Sequence, residues 1–255
     1  MHVPFLFYFI PVPIPFAAPA RPDRDVETFQ TSFEDAAARP VTEIVPAAAG
    51  DGAAALGFAL AWCGAQARDE TLLIAATDDM QAEYGAPYPP GLSQYGLAAT
   101  RLLHVRAHTL KEALWACEQA LALPRMRALC IVPQKSRLTL TETRRLHLAA
   151  ERSGARCVLL RFDPLSPSAA WTRWRIAAAA SHGADAELGR PCFAATLTRR
   201  RSGPSGQSWL LEWNADEHAF TQREQDASAA GSTLAGPVVA ASAHRPAEAQ
   251  RRRAG

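Results

Sequence analysis

A chain that handles a nucleotide usually needs a glycine turn, a lysine and a hydroxyl, held between the end of a strand and the start of a helix. The stretch "VPAAAGDGAAALGFALAW", Val45 to Trp62, has that layout. In a working loop the glycines let backbone N–H groups converge on the phosphates, the lysine neutralises them, and the hydroxyl holds magnesium. Here the turn supplies Gly50, Asp51 and Gly52, followed by Ala53, Ala54 and Ala55. A methyl group neither neutralises a phosphate nor ligates a cation. The segment therefore reads as a degenerate phosphate-binding loop, with no cofactor and no metal expected.

Other chemistry-bearing residues form weaker patterns. His104 and His108 are four apart, but the first falls in an expected strand and the second just before a helix cap, so they do not share a helix face as metal ligands would. The five cysteines, Cys63, Cys117, Cys130, Cys157 and Cys192, are widely separated and contain no C-x-x-C pair. They fit neither a disulfide framework nor a zinc spacing, and in runs such as "ALCIV" they act as small hydrophobes in a reducing compartment. Basic residues are concentrated. From Arg137 to Arg175 there are eight arginines against three acids, a net +5 in a chain whose total is +2. Of the 27 basic residues only Lys111 and Lys135 are lysine, so arginine abundance by itself reflects coding bias rather than nucleic-acid binding. Arg144, Arg145 and Arg152 are the candidate partner-binding residues of that region, because guanidinium groups pair bidentately with carboxylates.

The elements that must position these groups alternate. "VTEIV" (41–45) reads as a strand, "AAALGFALAWCGAQA" (53–67) as a buried helix and "TLLIAAT" (71–77) as a buried strand. After the Pro/Gly/Tyr loop 85–97 come strand 101–107, a helix opened by Thr109 and Glu112 as a capping box, strand 128–133, a helix closed by Gly154, and strand 156–162. "WTRWRIAA", "CFAATLTRR" and "SWLLEWN" read as three further strands. Repeated βα units with a β-rich end imply an α/β fold: a mainly parallel sheet with helices on both faces and an antiparallel β extension. The expected domains are a disordered or mis-called extension over 1–40, a core over 41–220 and a disordered, basic-ended tail over 221–255, where small polar residues lack apolar periodicity. The run "VPFLFYFIPVPIPFAAPA" has no preceding cation and three interrupting prolines, so it fits neither an export signal nor a membrane span.

That order of elements resembles a RecA-like P-loop NTPase-type core. Within it, "YPPGLSQYGL", "RLLHVRAHTLKEALWACEQAL", "TETRRLHLAAERSGA", "PSAAWTRWRI" and "WLLEW" resemble the ImuA family, RecA-like accessory proteins of bacterial damage-inducible mutagenesis. The chain departs from the family at Ala98-Ala99, where an acid and a proline are usual before "RLL". The resemblance places the metal-holding carboxylate of a RecA-type ATPase near Pro133 and its catalytic glutamate near Asp78 and Asp79. Proline cannot ligate a cation, and a lone carboxylate cannot assemble phosphoryl transfer, which depends on positioning and charge neutralisation. The resemblance therefore implies a non-enzymatic adaptor in the SOS response. It would be cytoplasmic and support error-prone translesion synthesis with ImuB, an error-prone polymerase and RecA, with DNA contacted indirectly. A SulA-like division inhibitor and a weak ATP-binding repair protein are the alternative readings.

Overall fold

A computed structural model of the chain describes residues 28–65, 69–162, 167–181 and 189–223. The chain divides into Met1–Glu224 and Gln225–Gly255. The second unit, and with it nearly all of the expected tail over 221–255, lies outside the described residues.

The elements run α1 (Phe29–Ala37), β1 (Val41–Pro46), α2 (Gly52–Ala65), β2 (Thr71–Thr77), α3 (Asp78–Tyr84), α4 (Pro89–Ser93), β3 (Leu102–Ala107), α5 (Leu110–Leu121), β4 (Met126–Val132), α6 (Leu140–Ser153), β5 (Arg156–Arg161), β6 (Thr172–Ala178), β7 (Cys192–Arg200), β8 (Ser208–Asn214) and β9 (Ala219–Arg223). They form one sheet in the order β3-β2-β4-β5-β1-β6-β7-β8-β9. Neighbours from β3 through β6 pair parallel, and β7, β8 and β9 add on antiparallel. This is the mainly parallel α/β sheet with an antiparallel extension expected from the sequence.

Its two faces explain why the central strands lack polar alternation. One face carries Ile44, Ile74, Leu129, Val158, Leu160, Trp174 and Ile176 under α1 and α2. The other carries Val41, Leu73, Ala75, Ala128, Cys130, Cys157 and Leu159 under α5 and α6. Strands buried on both sides read as continuous apolar runs. All five cysteines are buried and free, and burial pushes the Cys63 thiol up to about 12, which suits the reading of them as inert hydrophobes.

Helix α1 departs from the expectation of a disordered or mis-called extension over 1–40 at residues 29–37, the part of that range it covers. Thr28 caps it by accepting the Thr31 N–H, and Phe29 and Phe33 are buried against Trp62, Trp174, Trp209 and Phe220. The helix is short, with a single apolar stripe, and its stability comes from that aromatic contact rather than from its own propensity. Residues 1–27 lie outside the described residues. At the other end β9 pairs with β8 through Phe220 and its neighbours, so the core takes in α1 and β9 as well as the elements between them.

Candidate functional site

The strand-turn-helix that resembles a phosphate loop is present. Strand β1 ends at Pro46, a single 3₁₀ turn spans Ala49–Asp51, and α2 starts at Gly52. Three features of its geometry set what it can do. Among the described residues those with positive φ are Arg125, His218 and five glycines outside this turn. The alternation of right- and left-handed residues that turns successive N–H groups inward to make an anion nest is therefore missing. The second feature is Asp51, whose two carboxylate oxygens accept the N–H of Ala48 at 3.0 Å and of Ala178 at 2.9 Å. The chain's own anion thus holds the donors on both sides of the turn and fastens it to β6. Ala47 adds a further tie, donating to the Ile176 carbonyl at 2.7 Å.

The third feature is aromatic. A Cβ at Gly52 would lie 2.4 Å from the Tyr84 hydroxyl oxygen and 3.1 Å from a Phe162 ring carbon. Tyr84 comes from the end of α3 and Phe162 from the end of β5, and their rings lie 5.4 Å apart. Glycine at 52 is therefore required by close approach rather than by φ, which is helical at −57°. Ala53, Ala54 and Ala55 occupy the first turn of α2, exposed, half-buried and fully buried in that order. They bring no charge to the site.

Of the two carboxylates expected near a catalytic position, Asp78 is committed elsewhere. Asp78 pairs with the Arg106 guanidinium and accepts a hydrogen bond from His108 Nδ1 at 2.7 Å. The Arg106 bond, then the His108 bond, hold the Asp78 carboxyl below its ordinary range; the same contact with Asp78 raises His108. Asp79 is exposed. His104 does not join His108 but bonds Gln81 at 2.9 Å. Among the described residues no group of three or more His, Cys, Asp or Glu side chains could hold a metal ion. Pro133 uses its carbonyl to accept the Ser136 N–H in a turn. A recess of about 330 Å³ lies at the opposite end of the strands, beside the Arg101–Asp69 and Arg127–Glu70 ion pairs.

The three arginines fall on α6. The helix is set by a full capping box in which Thr139 accepts the Glu142 N–H while Glu142 accepts the Thr139 N–H, and by Gly154 at φ 74°. The expected box at Thr109 forms only half, because Glu112 reaches the His108 N–H instead. Arg144 and Arg152 are exposed, whereas Arg145 bonds Glu118 of α5 at 2.5 Å. Of the five other arginines of the basic stretch, Arg137 is exposed and three are taken up inside the fold. Arg161 and Arg173 clamp the fully buried Glu43 at 2.7 and 2.8 Å, and Arg156 binds the carbonyls of Ala37 and Ala155. The net charge counted along the sequence therefore overstates the exposed basic surface. Sequence reasoning also missed Tyr84, Phe162 and Arg106. Asp51 before a helix suggests a cap of α2, but its carboxylate bonds Ala48 and Ala178 instead; nothing marked the two aromatic rings.

Comparison with known proteins gives a partial match. No family model matches the chain. It is similar to Protein ImuA of two Caulobacter vibrioides strains, NA1000/CB15N and CB 15, each 36% identical over 138 residues, which are 49% of this chain and 55% of that protein. The chain spans about half the length of the curated relatives it matches. Among solved structures it is similar to the RadB recombinase, with a TM-score of 0.49 and 14% identity over 72% of this chain and 91% of that one. The expected resemblance to the ImuA family thus has a match in sequence over about half of the chain.

Proposed function

We propose that the protein is a non-catalytic RecA-like adaptor of the SOS response that supports error-prone translesion synthesis, working with ImuB and an error-prone polymerase. The observation that carries this reading is the self-occupied turn: Asp51 puts the chain's own carboxylate there, bonded to the Ala48 and Ala178 N–H groups, and Tyr84 and Phe162 close on Gly52. A carboxylate there repels a triphosphate, and no lysine offsets it. Similarity to Protein ImuA over 138 residues supplies the cellular context. Among the described residues no helix is long and apolar enough to cross a membrane, and a cytoplasmic adaptor acting on DNA through its partners accords with that.

Two measurements test the reading together. Calorimetry of the purified chain with Mg-ATP should give no saturable heat, and deletion of the gene should abolish damage-induced mutagenesis. A micromolar, magnesium-dependent isotherm would restore the enzyme reading. Unchanged mutagenesis in the deletion strain would remove the SOS assignment.

A further inference from the structure

The outer surface of α5 and α6 exposes apolar side chains that an isolated monomer has no use for. Trp115 on α5 is 60% exposed, and Leu140 and Leu148 on α6 are 52% and 41% exposed. These positions are ordered rather than scattered. On α6, Leu140, Arg144, Leu148 and Arg152 follow one another at intervals of four, which places them in one row along the helix. On α5, Trp115 is three residues before Glu118, whose carboxylate reaches across to Arg145. Trp115 therefore leans toward α6. Arg145 in turn is three residues before Leu148 and seven before Arg152, so both lean toward α5. The Glu118–Arg145 pair sits in the middle and neutralises itself. Apolar groups flank it, and Arg144 and Arg152 remain exposed with Lys111 one turn from Trp115. Of the acids nearby, Glu112 caps the His108 N–H and only Glu151 is uncommitted among the described residues.

We propose that this α5/α6 face is a docking surface for an acidic amphipathic helix of a partner protein, with Trp115 and Leu148 gripping its apolar side and Arg144 and Arg152 pairing with its carboxylates. Charge selects the sign of the partner, and the apolar row excludes a purely electrostatic one: a nucleic-acid backbone would leave Trp115, Leu140 and Leu148 facing phosphates and water. A second copy of the chain would present the same arginines to one another. Exposed aromatic and arginine side chains side by side are the composition that carries binding energy in protein interfaces. The proposal rests on the adaptor reading only for there being a partner; the surface itself requires no nucleotide and no particular pathway.

The test uses the full chain and three labelled synthetic helices: one with a leucine stripe and a glutamate face, one with those glutamates changed to lysine, and one of the first composition with the leucines scrambled. Fluorescence anisotropy should show saturable binding of the first helix and at least about tenfold weaker binding of the other two. Trp115→Ala and the pair Arg144→Glu with Arg152→Glu should each weaken the first helix by at least about tenfold. All three sites are exposed, so circular dichroism and the melting midpoint should match those of the unaltered chain. Equal binding of the lysine helix, binding indifferent to the variants, or no saturable binding up to roughly millimolar helix overturns the proposal. So does a labelled single-stranded oligonucleotide that binds and is lost in the same variants, or a dimer in sedimentation that Trp115→Ala dissolves. Failure here leaves the Mg-ATP and mutagenesis results untouched, and a positive ATP isotherm leaves this binding untouched.

Discussion

Removal of α1 tests where the core begins, and its size follows from the contacts of Phe29. That ring is 2% exposed and meets Phe33, Trp174, Trp209 and Phe220 with centroids 5.5 to 5.9 Å away. Phe29→Ala deletes a ring from a packed aromatic cluster, which costs about 3–5 kcal/mol from lost transfer energy and the cavity left behind. For a chain of this size each kcal/mol moves the melting midpoint by about 2–4 °C, so the single substitution should lower it by roughly 6–20 °C. A chain starting at Arg39 also loses Phe33, stacked edge-on against Trp62 at 4.6 Å, and Asp35, which bridges Arg39 at 2.6 Å and Arg200 at 2.9 Å. The total is then a large part of the ~5–15 kcal/mol that domains hold in reserve. Thermal and urea unfolding, followed by the fluorescence of the cluster's tryptophans, measures both variants. A chain starting at Arg39 that melts within about 2 °C of the full protein would refute the reasoning and restore a core that begins at residue 41.

Three more outcomes follow from the geometry. Glu43→Gln removes the negative charge between Arg161 and Arg173 in a site where Glu43 and Arg161 are fully buried, and should destabilise the fold by about 3–5 kcal/mol in urea unfolding. By NMR, His108 should titrate above the ordinary value of 6.5 and return toward it in Asp78→Asn. Because Asp78 is lowered and His108 raised, the stabilisation from the pair is lost as pH falls through the Asp78 value and again as it rises through the His108 value; a His108 midpoint unchanged in Asp78→Asn would disprove the link. Restoring the missing side chains as Ala54→Lys with Ala55→Thr should not produce Mg-ATP binding in calorimetry, since Asp51, Tyr84 and Phe162 remain, and a saturable isotherm would contradict that account of the turn.

What could be read from the sequence was set by periodicity and local capping. Strand β2 at Thr71–Thr77 and the Gly154 end of α6 were legible because a continuous apolar run and a left-handed glycine each declare themselves within a few residues. Helix α1 was not, because its signal is two phenylalanines beside a proline-broken run, and they become meaningful only opposite Trp62 and Trp174, which lie far along the chain. Strand β9 was lost for the same reason: Phe220 alone stood out, and its pairing with Trp213 needs the turn between them. At the site, the absence of lysine and hydroxyl was plain in Ala53, Ala54 and Ala55. The occupants of the space were not, since Tyr84 and Phe162 are 78 residues apart and meet because β2 and β5, parallel to each other through β4, end on the same side of the sheet. The arginine count failed in the opposite direction. Arg161, a buried partner of Glu43, is indistinguishable in sequence from the exposed Arg144 and Arg152.

On the adaptor reading, Asp51 changes how the protein can be controlled. A nucleotide-driven protein of this architecture changes shape because the γ-phosphate arrives and leaves, and elements touching it move with it. Here the anion that ties the turn to β6 is a side chain, present in every copy at all times, with donors at 2.9 and 3.0 Å. A ligand shifts a conformational equilibrium only by its differential affinity for two states, and a covalently attached carboxylate has no bound and free forms to differ. Nucleotide exchange then has no means of rearranging the surfaces built on this sheet, the α5/α6 face included. On this reading partner engagement follows how much of the adaptor and its proposed partners the damaged cell contains, through mass action. Asp51→Asn separates the two possibilities: it weakens the tie by removing charge from both hydrogen bonds while keeping an acceptor for one of them. If the scaffold is constitutive, the variant should lose modest stability, about 1 kcal/mol by the cost of a weakened cap, and keep damage-induced mutagenesis in proportion to its abundance. Mutagenesis abolished at normal abundance would mean that the turn itself is a moving part.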